Sequence, residues 1–413
     1  MLTSMAAPQA RGKKAGDAIF GANRAAVEAA ARVGKEFVTN ATIGAILDES
    51  EKLVCLPTVK KVYQSLPMEE IISYAPIAGL PDFLRDVQDC CFGDCRPEGY
   101  TAAVSTSGGT GVIHHVIQNY TCPGDDVLTS DWYWGAYSAL CDDNGRHLRT
   151  YKLFDDALKF NHKDFQEQVN RMAARQENLV VIINSPAHNP TGYSLTGDDW
   201  DQVLDFFRYL AGKGKHVILL ADVAYIDYAG DQGRQFFKKF SGLPEEILVI
   251  VGYSMSKSFT MYGQRLGAMI GVSSSQSVIQ EFSDINSYTS RATWSNNSRG
   301  AMACLIRIFE DPMLRSSWKA EQQEYYRLTK ERADIFTSEA KQEDLPILPY
   351  QAGFFISVPS SDSAAACSEL HKENIFLVPL KAGIRIAACA VPCSKMHGMA
   401  GKLKKAMENI GQI

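Results

Sequence analysis

A lysine stands among small polar residues in the segment "SMSKSFTMYGQRLG", which covers residues 254–267. Lys257 lies between Ser256 and Ser258, and Arg265 follows in the same segment. A lysine amine can form an imine with an aldehyde, while hydroxyl groups and an arginine fork bind phosphate oxygens. Most lysines are solvent-exposed and unreactive, so an ordinary polar loop is the alternative interpretation. The rest of the chain must decide between a reactive amine and a surface lysine.

Two further segments carry groups that could complete a site around such an amine. "SGGTGVIHHVIQ", residues 107–118, places Gly108, Gly109 and Gly111 directly before a helical pattern. Glycines let the backbone approach a ligand closely, and a helix N-terminus favours an anion such as phosphate. "SDWYWGAYSAL", residues 130–140, has three consecutive aromatic rings that either pack in a core or stack on a flat cofactor.

Polar groups also follow two apolar runs near the middle of the chain. "NSPAHNPTGYSLT", residues 184–196, is rich in turn-forming pairs, and an amide such as that of Asn189 could donate to a ligand oxygen. "LLADVAYIDY", residues 219–228, ends its apolar run with Asp222, and a buried carboxylate needs a partner. A protonated ring nitrogen is one such partner. Tyr225 could place a hydroxyl beside it.

Together these groups are the ones that pyridoxal phosphate requires. Lys257 would bond the aldehyde, and Asp222 would keep the pyridine nitrogen protonated so that the ring accepts electrons. Ser254, Ser256 and Arg265 would add hydroxyl and guanidinium donors for the phosphate. The sequence therefore predicts a pyridoxal-phosphate site and favours the reactive lysine.

Strands that alternate with helices must position these groups. From about residue 100 the chain alternates apolar runs with longer helical patterns, which predicts an α/β layer architecture. Continuous apolar runs are typical of strands covered on both faces in a mainly parallel sheet, whose carboxyl ends gather functional residues. Seven runs are predicted to be strands: "AAVSTS", "DVLTSD", "HLRTYKL", "LVVIINS", "HVILLAD", "ILVIVGYS" and "LGAMIGV".

The two ends of the chain differ from this central region. We expect residues 61–300 to form a large three-layer domain, with residues 1–60 as an N-terminal arm and part of a smaller α/β domain that residues 301–413 complete. Within the large domain, Thr196 and Asp199 are spaced as a capping box at the start of a helix. Gly212 or Gly214 would end that helix.

Composition narrows the class of protein. The net charge of −5 and the absence of a long basic stripe argue against a nucleic-acid partner. No apolar run approaches the roughly 18 residues that span a bilayer, and "MLTSMAAPQARGKKAGDA" lacks the apolar core of a secretion signal. That segment is predicted to be a loose arm, with organelle targeting as the alternative. Ten scattered cysteines predict reduced thiols in the cytoplasm, and Cys90, Cys91 and Cys95 lack the partners of a metal site.

The motifs and their order resemble a known family. The chain is similar to the fold-type I pyridoxal-phosphate enzymes of the class I aminotransferases, closest to the aspartate aminotransferase subgroup, which includes aspartate and aromatic amino acid aminotransferases. The resemblance covers nearly the whole chain and implies a PLP-dependent transferase-like fold. It rests on these segments: "NATIGAILDESEKLVCLPTVKKV", "YAPIAGLPDF", "AHNPTG", "DVAY", "SMSKSFTMYGQRLG" and "GIRI".

The resemblance implies a role toward the cofactor for each matching residue. Lys257 would carry the cofactor and move a proton between the substrate α carbon and the cofactor C4′. Asp222 would pair with the ring nitrogen, and Tyr225 and Asn189 would bond the phenolic oxygen. Trp134, in preference to Trp132, would stack on the ring. The phosphate would be held by Gly109, Thr110, Ser254, Ser256 and Arg265.

The resemblance also implies substrate and partner roles. Gly44 and Asn189 would lie near the substrate, and Arg385 would bind its α-carboxylate through a bidentate pair. Tyr74 would reach the phosphate in the neighbouring subunit, so the active unit would be a homodimer. Arg291, in "SRATWSNNSRG", would come from the neighbouring subunit to bind a distal carboxylate. An exposed helix arginine is the alternative for Arg291.

The predicted activity is transamination. The amino group of an L-amino acid, either aspartate or another dicarboxylic or aromatic amino acid, would move to a 2-oxo acid such as 2-oxoglutarate. Ile46, Leu47 and Tyr137 depart from the subgroup pattern, which has a histidine at the last position, so the choice of donor stays open. A lyase or decarboxylase with the same cofactor is one alternative. A non-catalytic sensor is another, although the chain has no helix-turn-helix extension.

Overall fold

The computed structural model describes residues 4–14, 16 and 18–413. Its α-helices are α1 Ala18–Val33, α2 Pro57–Ser65, α3 Met68–Ile72, α4 Pro81–Phe92, α5 Gly108–Tyr120, α6 Ala136–Asp143, α7 His162–Ala173, α8 Gly197–Ala211, α9 Met255–Ser258, α10 Gln276–Thr293, α11 Arg299–Glu310, α12 Pro312–Gln342, α13 Ser363–His371, α14 Cys393–Met396 and α15 Met399–Asn409. Its strands are β1 Thr39–Asn40, β2 Tyr100–Thr106, β3 Asp126–Ser130, β4 His147–Tyr151, β5 Asn178–Asn184, β6 His216–Asp222, β7 Ile247–Ser254, β8 Gly267–Ser273, β9 Phe355–Pro359, β10 Ile375–Phe376, β11 Val378–Leu380 and β12 Gly383–Ala387.

A seven-stranded sheet lies at the centre of the large unit, with the strand order β2-β8-β7-β6-β5-β3-β4. Only β8 runs antiparallel to its neighbours among these strands. All seven predicted strands are present, and the prediction of a mainly parallel sheet is confirmed. Asn184 pairs with Asp222, and Asp222 pairs with Gly252, so the parallel strands β5, β6 and β7 end at one edge of the sheet.

Helices cover both faces of this sheet. Val181 and Ile183 of β5 face a core with α7 and α8, while Val180 and Ile182 face a second core with α5 and α10. Since successive residues of a strand point to opposite faces, a strand between two helical layers must be apolar throughout. This requirement explains the continuous apolar runs of the sequence, and the three-layer α/β prediction is confirmed.

A smaller unit combines the two ends of the chain. Its three-stranded antiparallel sheet has the order β11-β12-β9, and β1 pairs with β10 in a separate parallel ladder. A core cluster joins Ala41 to apolar side chains of α12, α13 and α15. The boundaries expected at residues 60 and 300 stay a prediction.

Several local predictions can be compared with these elements. Thr196 and Asp199 form the expected capping box of α8, and that helix ends just before Gly212. The predicted N-terminal arm falls partly on residues 1–3, 15 and 17, which lie outside the described residues. In the part of the chain that the structure describes, no helix has the length and apolar character needed to cross a bilayer. The same part contains no group of three or more His, Cys, Asp or Glu arranged to hold a metal.

Gly192 closes the loop between β5 and α8, and its replacement gives a first prediction. Its φ of +75° favours glycine, and an added Cβ would lie 2.7 Å from the Phe355 carbonyl oxygen and closer still to the Tyr350 ring. Gly214 has a similar φ of +78° with open space around it, so Gly214→Ala is a matched control for the backbone strain alone. We expect Gly214→Ala to cost about 1 kcal/mol of stability and Gly192→Ala at least about 2 kcal/mol more. Urea unfolding midpoints measure the difference, and equal midpoints would contradict the steric explanation.

Candidate active site

A cavity of about 490 Å³ lies at the carboxyl edge of the large sheet, where β5, β6 and β7 end. Tyr74 and Arg291 are not among its lining residues in the described chain. The other predicted site residues all line it: Gly44, Gly109, Thr110, Trp134, Asn189, Asp222, Tyr225, Ser254, Ser256, Lys257, Arg265 and Arg385. The fold therefore brings together groups that are far apart in the sequence.

Hydrogen-bond donors converge at the end of the cavity predicted to hold the phosphate. Helix α5 begins at Gly108, whose φ is +64°, and a Cβ there would lie 2.5 Å from the Arg265 guanidinium. Arg265 donates to the Ser256 hydroxyl at 3.1 Å and to the Tyr262 carbonyl at 3.2 Å. The Ser254 hydroxyl caps α9 by accepting from the Ser256 amide at 3.3 Å. A helix N-terminus, hydroxyl groups and a guanidinium are together suited to an anion.

Asp222 ends β6 with a buried side chain that lines the cavity. Its Oδ2 accepts a hydrogen bond from the Tyr137 hydroxyl at 2.5 Å, and its Oδ1 accepts from the Ala224 amide at 3.2 Å. Burial raises the pKa of Asp222, and these two donors act in the opposite direction. The Asn184 side chain donates to the main-chain oxygen of Asp222 at 2.8 Å, which fixes the strand end.

Lys257 lies on the short helix α9 that follows β7. Its amine donates to the Gly44 carbonyl at 2.7 Å and lies 4.9 Å from the centroid of the Tyr262 ring. Burial lowers the pKa of Lys257 to about 8. The value of about 8 also includes the effects of Cys389, which raises the pKa, and of the Arg265 and Arg385 guanidinium groups, which lower it. A lowered pKa is what a lysine needs if it is to act as a general base near neutral pH.

Arg385 enters the cavity from β12 of the smaller sheet. Its guanidinium donates to the Thr42 carbonyl at 2.6 Å and to the Asn189 side-chain oxygen at 3.4 Å. The guanidinium carbon lies 4.3 Å from the centroid of the Phe355 ring. Asn189 in turn donates to the Tyr225 hydroxyl at 3.4 Å. These contacts hold the guanidinium in place before a carboxylate arrives, which lowers the entropy cost of binding.

The aromatic candidates occupy different places. Trp134 lines the cavity, whereas Trp132 is buried outside it with its ring near the position of Gly383. Tyr74 is 87% exposed, and Arg291 is exposed on α10 with its guanidinium bonded to the Ser295 hydroxyl. Tyr74 and Arg291 lie outside the described lining of the cavity in their own chain. This placement is compatible with a role in the site of another subunit.

Part of the cavity wall has no recognisable signal in the sequence. Four apolar side chains form it: Ile19, Phe20, Ile43 and Leu53. They lie in the N-terminal segments and carry no reactive group, so no local signal identifies them. Tyr262 also lines the cavity and lies within the lysine segment. Its short spacing from Lys257 could have identified it as a site residue from the sequence.

The groups present fit pyridoxal phosphate. Gly109 and Ser254 line the anion-binding end together, and a Cβ at Gly109 would lie 3.6 Å from Ser254, an ordinary contact distance. A buried carboxylate, an aromatic ring and a primary amine share the same cavity through Asp222, Trp134 and Lys257. The cavity volume is within the range of about 300–1,000 Å³ that small-molecule sites occupy.

Fold and site together define a pyridoxal-phosphate enzyme of fold type I. The chain belongs to the family described as "Aminotransferase class I and II", whose sequence profile matches residues 37–403. The predictions of the family, of an amino-acid aminotransferase and of pyridoxal phosphate as cofactor are confirmed. Family membership favours transamination over the lyase, decarboxylase and sensor alternatives.

Three similar proteins illustrate this relationship. An aminotransferase structure from Anaerococcus prevotii is 37% identical, with a TM-score of 0.95 and coverage of 98% of this chain and 99% of that one. The cytoplasmic aspartate aminotransferase of Dictyostelium discoideum is 28% identical over 68% of this chain and 64% of its own length, just under two thirds. The aromatic-amino-acid aminotransferase of Burkholderia pseudomallei, covalently bound to pyridoxal phosphate, is 23% identical with a TM-score of 0.78 over 97% of this chain and all of that one. This third likeness shows the fold alone.

Proposed function

We propose that the protein transfers the amino group of an L-amino acid to a 2-oxo acid such as 2-oxoglutarate, with Lys257 as the residue that carries pyridoxal phosphate. The observation that supports this most is the position of the Lys257 amine in one cavity with the Asp222 carboxylate and the Arg385 guanidinium. When bound, the cofactor supplies an electron-accepting ring that stabilises negative charge at the substrate α carbon.

Each residue has a distinct task in this proposal. Arg385 binds the substrate α-carboxylate through its guanidinium fork, which orients the α carbon toward the Lys257 amine. Lys257 takes the proton from the α carbon and returns a proton at the cofactor C4′. Its pKa of about 8 suits this exchange, because a general base works best when its pKa is near the working pH. Asp222 keeps the ring nitrogen protonated.

The visible absorption spectrum of the purified protein with pyridoxal phosphate tests the proposal. We expect L-aspartate to remove the band of the bound cofactor and 2-oxoglutarate, added last, to restore it. A response to phenylalanine but not to aspartate would place the donor among aromatic amino acids. A band that no amino acid changes would contradict an aminotransferase.

The choice of donor depends on groups at the outer part of the cavity. An arginine at position 291 of the neighbouring subunit would favour the distal carboxylate of aspartate or glutamate. The apolar wall, formed by Ile19, Phe20, Ile43 and Leu53, supports an aromatic or apolar donor as the second candidate, because it would cover a nonpolar side chain without unpaired polar groups. An enzyme that accepts both classes of donor would use both the arginine of the neighbouring subunit and the apolar wall.

The rate at which the apoprotein captures pyridoxal phosphate should depend on pH in a predictable way. Only the neutral amine attacks the aldehyde, and burial lowers the pKa of Lys257 to about 8. We therefore expect the capture rate to rise by about tenfold per pH unit below pH 8 and to level off above it. Stopped-flow absorbance between about pH 6.5 and 9.5 measures the profile. The control is Nα-acetyl-lysine, whose side-chain amine titrates near pH 10.4. A rate that continues to rise up to pH 9.5 would contradict a lysine with a lowered pKa.

A homodimer with shared active sites is also part of the proposal. Met68, Ile72 and Tyr74 are 65%, 70% and 87% exposed, which is unusual for neighbouring large hydrophobic side chains and suits an interface. In this arrangement Tyr74 and Arg291 would each complete the site of the other subunit. A cytoplasmic location stays a prediction, supported by ten cysteines that are all free thiols.

Mixing two inactive variants tests the sharing of sites. Dimers of Lys257→Ala and of Arg291→Ala are mixed at equal concentration, dissociated and reassociated. Half of the resulting dimers should contain one subunit of each variant. Each mixed dimer would hold one intact site if Arg291 acts across the interface, so roughly one quarter of the wild-type aspartate activity should return. No recovery in confirmed mixed dimers would show that Arg291 does not act in the partner's site. Size-exclusion chromatography with light scattering verifies the dimers.

A further inference from the structure

Tyr137 makes the shortest polar contact to the Asp222 carboxylate. It lies on α6 with 1% of its surface exposed, and its hydroxyl is 2.5 Å from Asp222 Oδ2. The position is one where the sequence departs from the aspartate aminotransferase subgroup, which has a histidine there. A phenol and an imidazole differ in charge, because an imidazole can become a cation near neutral pH and a phenol cannot.

We propose that Tyr137 is a positioning residue that keeps the Asp222 carboxylate ionised and aimed at the cofactor ring nitrogen, using an uncharged donor. The proposal rests on the function proposed above, since it concerns the residue that would hold the ring nitrogen of pyridoxal phosphate. It extends that function by assigning a task to a side chain that does not itself bind the substrate.

The surroundings of Asp222 support this role. Apart from burial, the groups that shift its pKa in the described chain are the Tyr137 hydroxyl and the Ala224 amide, one for each carboxylate oxygen. Neither donor carries a charge. A buried carboxylate held by neutral donors alone lacks a counter-charge, so a protonated ring nitrogen would be its ionic partner.

The ring of Tyr137 is itself held in place. It packs edge-to-face against Trp134, with centroids 5.9 Å apart, and it stacks on Tyr133 at 6.5 Å. Burial and the neighbouring Asp222 raise the pKa of the Tyr137 phenol well above its usual value, so the hydroxyl keeps its proton. The ring proposed to stack on the cofactor and the hydroxyl proposed to hold Asp222 therefore belong to one packed aromatic group.

The experiment compares five variants, one of them the Asp222→Asn background, by their affinity for pyridoxal phosphate, measured by equilibrium dialysis, and by apoprotein unfolding. Tyr137→Phe removes only the hydroxyl and should raise the Kd of pyridoxal phosphate by about 10-fold or more, because hydrogen bonds to charged groups are strong. In an Asp222→Asn background, the same change should alter the Kd by less than about threefold. Tyr137→His keeps a donor and should bind the cofactor within about threefold of the wild type. Tyr120→Phe is the matched control, since it removes a buried hydroxyl that contacts Asn286 away from the cavity.

Each outcome decides the proposal. It is overturned if Tyr137→Phe binds the cofactor like the wild type, or if the loss is equal in the wild-type and Asp222→Asn backgrounds. It is also overturned if Tyr137→His, which keeps a donor, raises the Kd of pyridoxal phosphate by about 10-fold or more, a result that can be measured even if Tyr137→Phe fails to fold. A wild-type protein that binds no pyridoxal phosphate would instead refute the proposed function itself.

Discussion

Lys257→Ala is expected to lower kcat by roughly 10⁴-fold or more while the protein still binds pyridoxal phosphate. In the proposed mechanism, the variant loses both the group that bonds the cofactor aldehyde and the general base that moves the substrate proton. Cofactor binding should persist because the groups proposed for the phosphate and the ring nitrogen, at Arg265 and Asp222, are unchanged. A coupled assay for the 2-oxo acid product measures kcat, and equilibrium dialysis measures the cofactor Kd.

A matched lysine and a direct chemical test complete the first experiment. Lys215 also donates to a backbone carbonyl, that of Gln176 at 3.0 Å, but lies outside the cavity. Lys215→Ala should therefore keep wild-type kcat. Borohydride reduction of the loaded wild-type enzyme followed by peptide mass spectrometry should place the cofactor mass on Lys257. Retained turnover in Lys257→Ala, or labelling of another lysine, would refute its role.

Asp222→Asn is expected to lower kcat/KM by roughly 10²- to 10⁴-fold. Unlike most substitutions in a core, it should leave the apoprotein as stable as the wild type or more stable. The amide has the shape of the carboxylate but cannot hold the ring nitrogen protonated. Without the cofactor, the wild-type carboxylate is a buried charge with neutral donors only, and removing that charge relieves a desolvation cost. Steady-state kinetics and apoprotein melting curves measure the two effects.

Asp227→Asn provides the opposite pattern as a control. Asp227 is also buried, but its carboxylate is paired with Arg234 at 2.5 Å. Removing one member of a buried ion pair leaves the other charge uncompensated, so Asp227→Asn should lower the melting temperature. Its activity with saturating cofactor should stay near that of the wild type. An Asp222→Asn enzyme within about tenfold of wild-type kcat/KM would contradict the role of Asp222.

The sequence predicts the sheet and its functional edge well because both depend on local patterns. Continuous apolar runs identify strands covered on two faces, and the end of a run locates Asp222 and Lys257 at the carboxyl edge without further information. Arg385 is different, since only the family resemblance connects it to an edge formed more than 100 residues earlier. Its position depends on how the smaller sheet packs, which no periodicity in the sequence encodes.

Other parts of the site lie beyond what a single sequence can give. Ile19 and Phe20 reach the cavity because α1 packs on the smaller unit, and their apolar character alone resembles that of many core residues. The contact between Tyr137 and Asp222 joins side chains from two elements, α6 and β6. The sequence shows only that position 137 holds a tyrosine where the aspartate aminotransferase subgroup has a histidine. The tasks expected of Tyr74 and Arg291 require a second subunit, so one chain cannot display them.

The division of the cavity between two sheets has a consequence for how the protein can change over evolutionary time. Asp222, Ser254 and Lys257 all lie at the edge of one rigid sheet, whereas Arg385 and the apolar wall come from the smaller unit and the N-terminal segments. Substitutions in the apolar wall can accumulate without displacing the first group. Laboratory selection for a new amino donor should therefore succeed mainly through changes outside the large sheet, and the donor repertoire can diversify while the reactive centre is inherited intact.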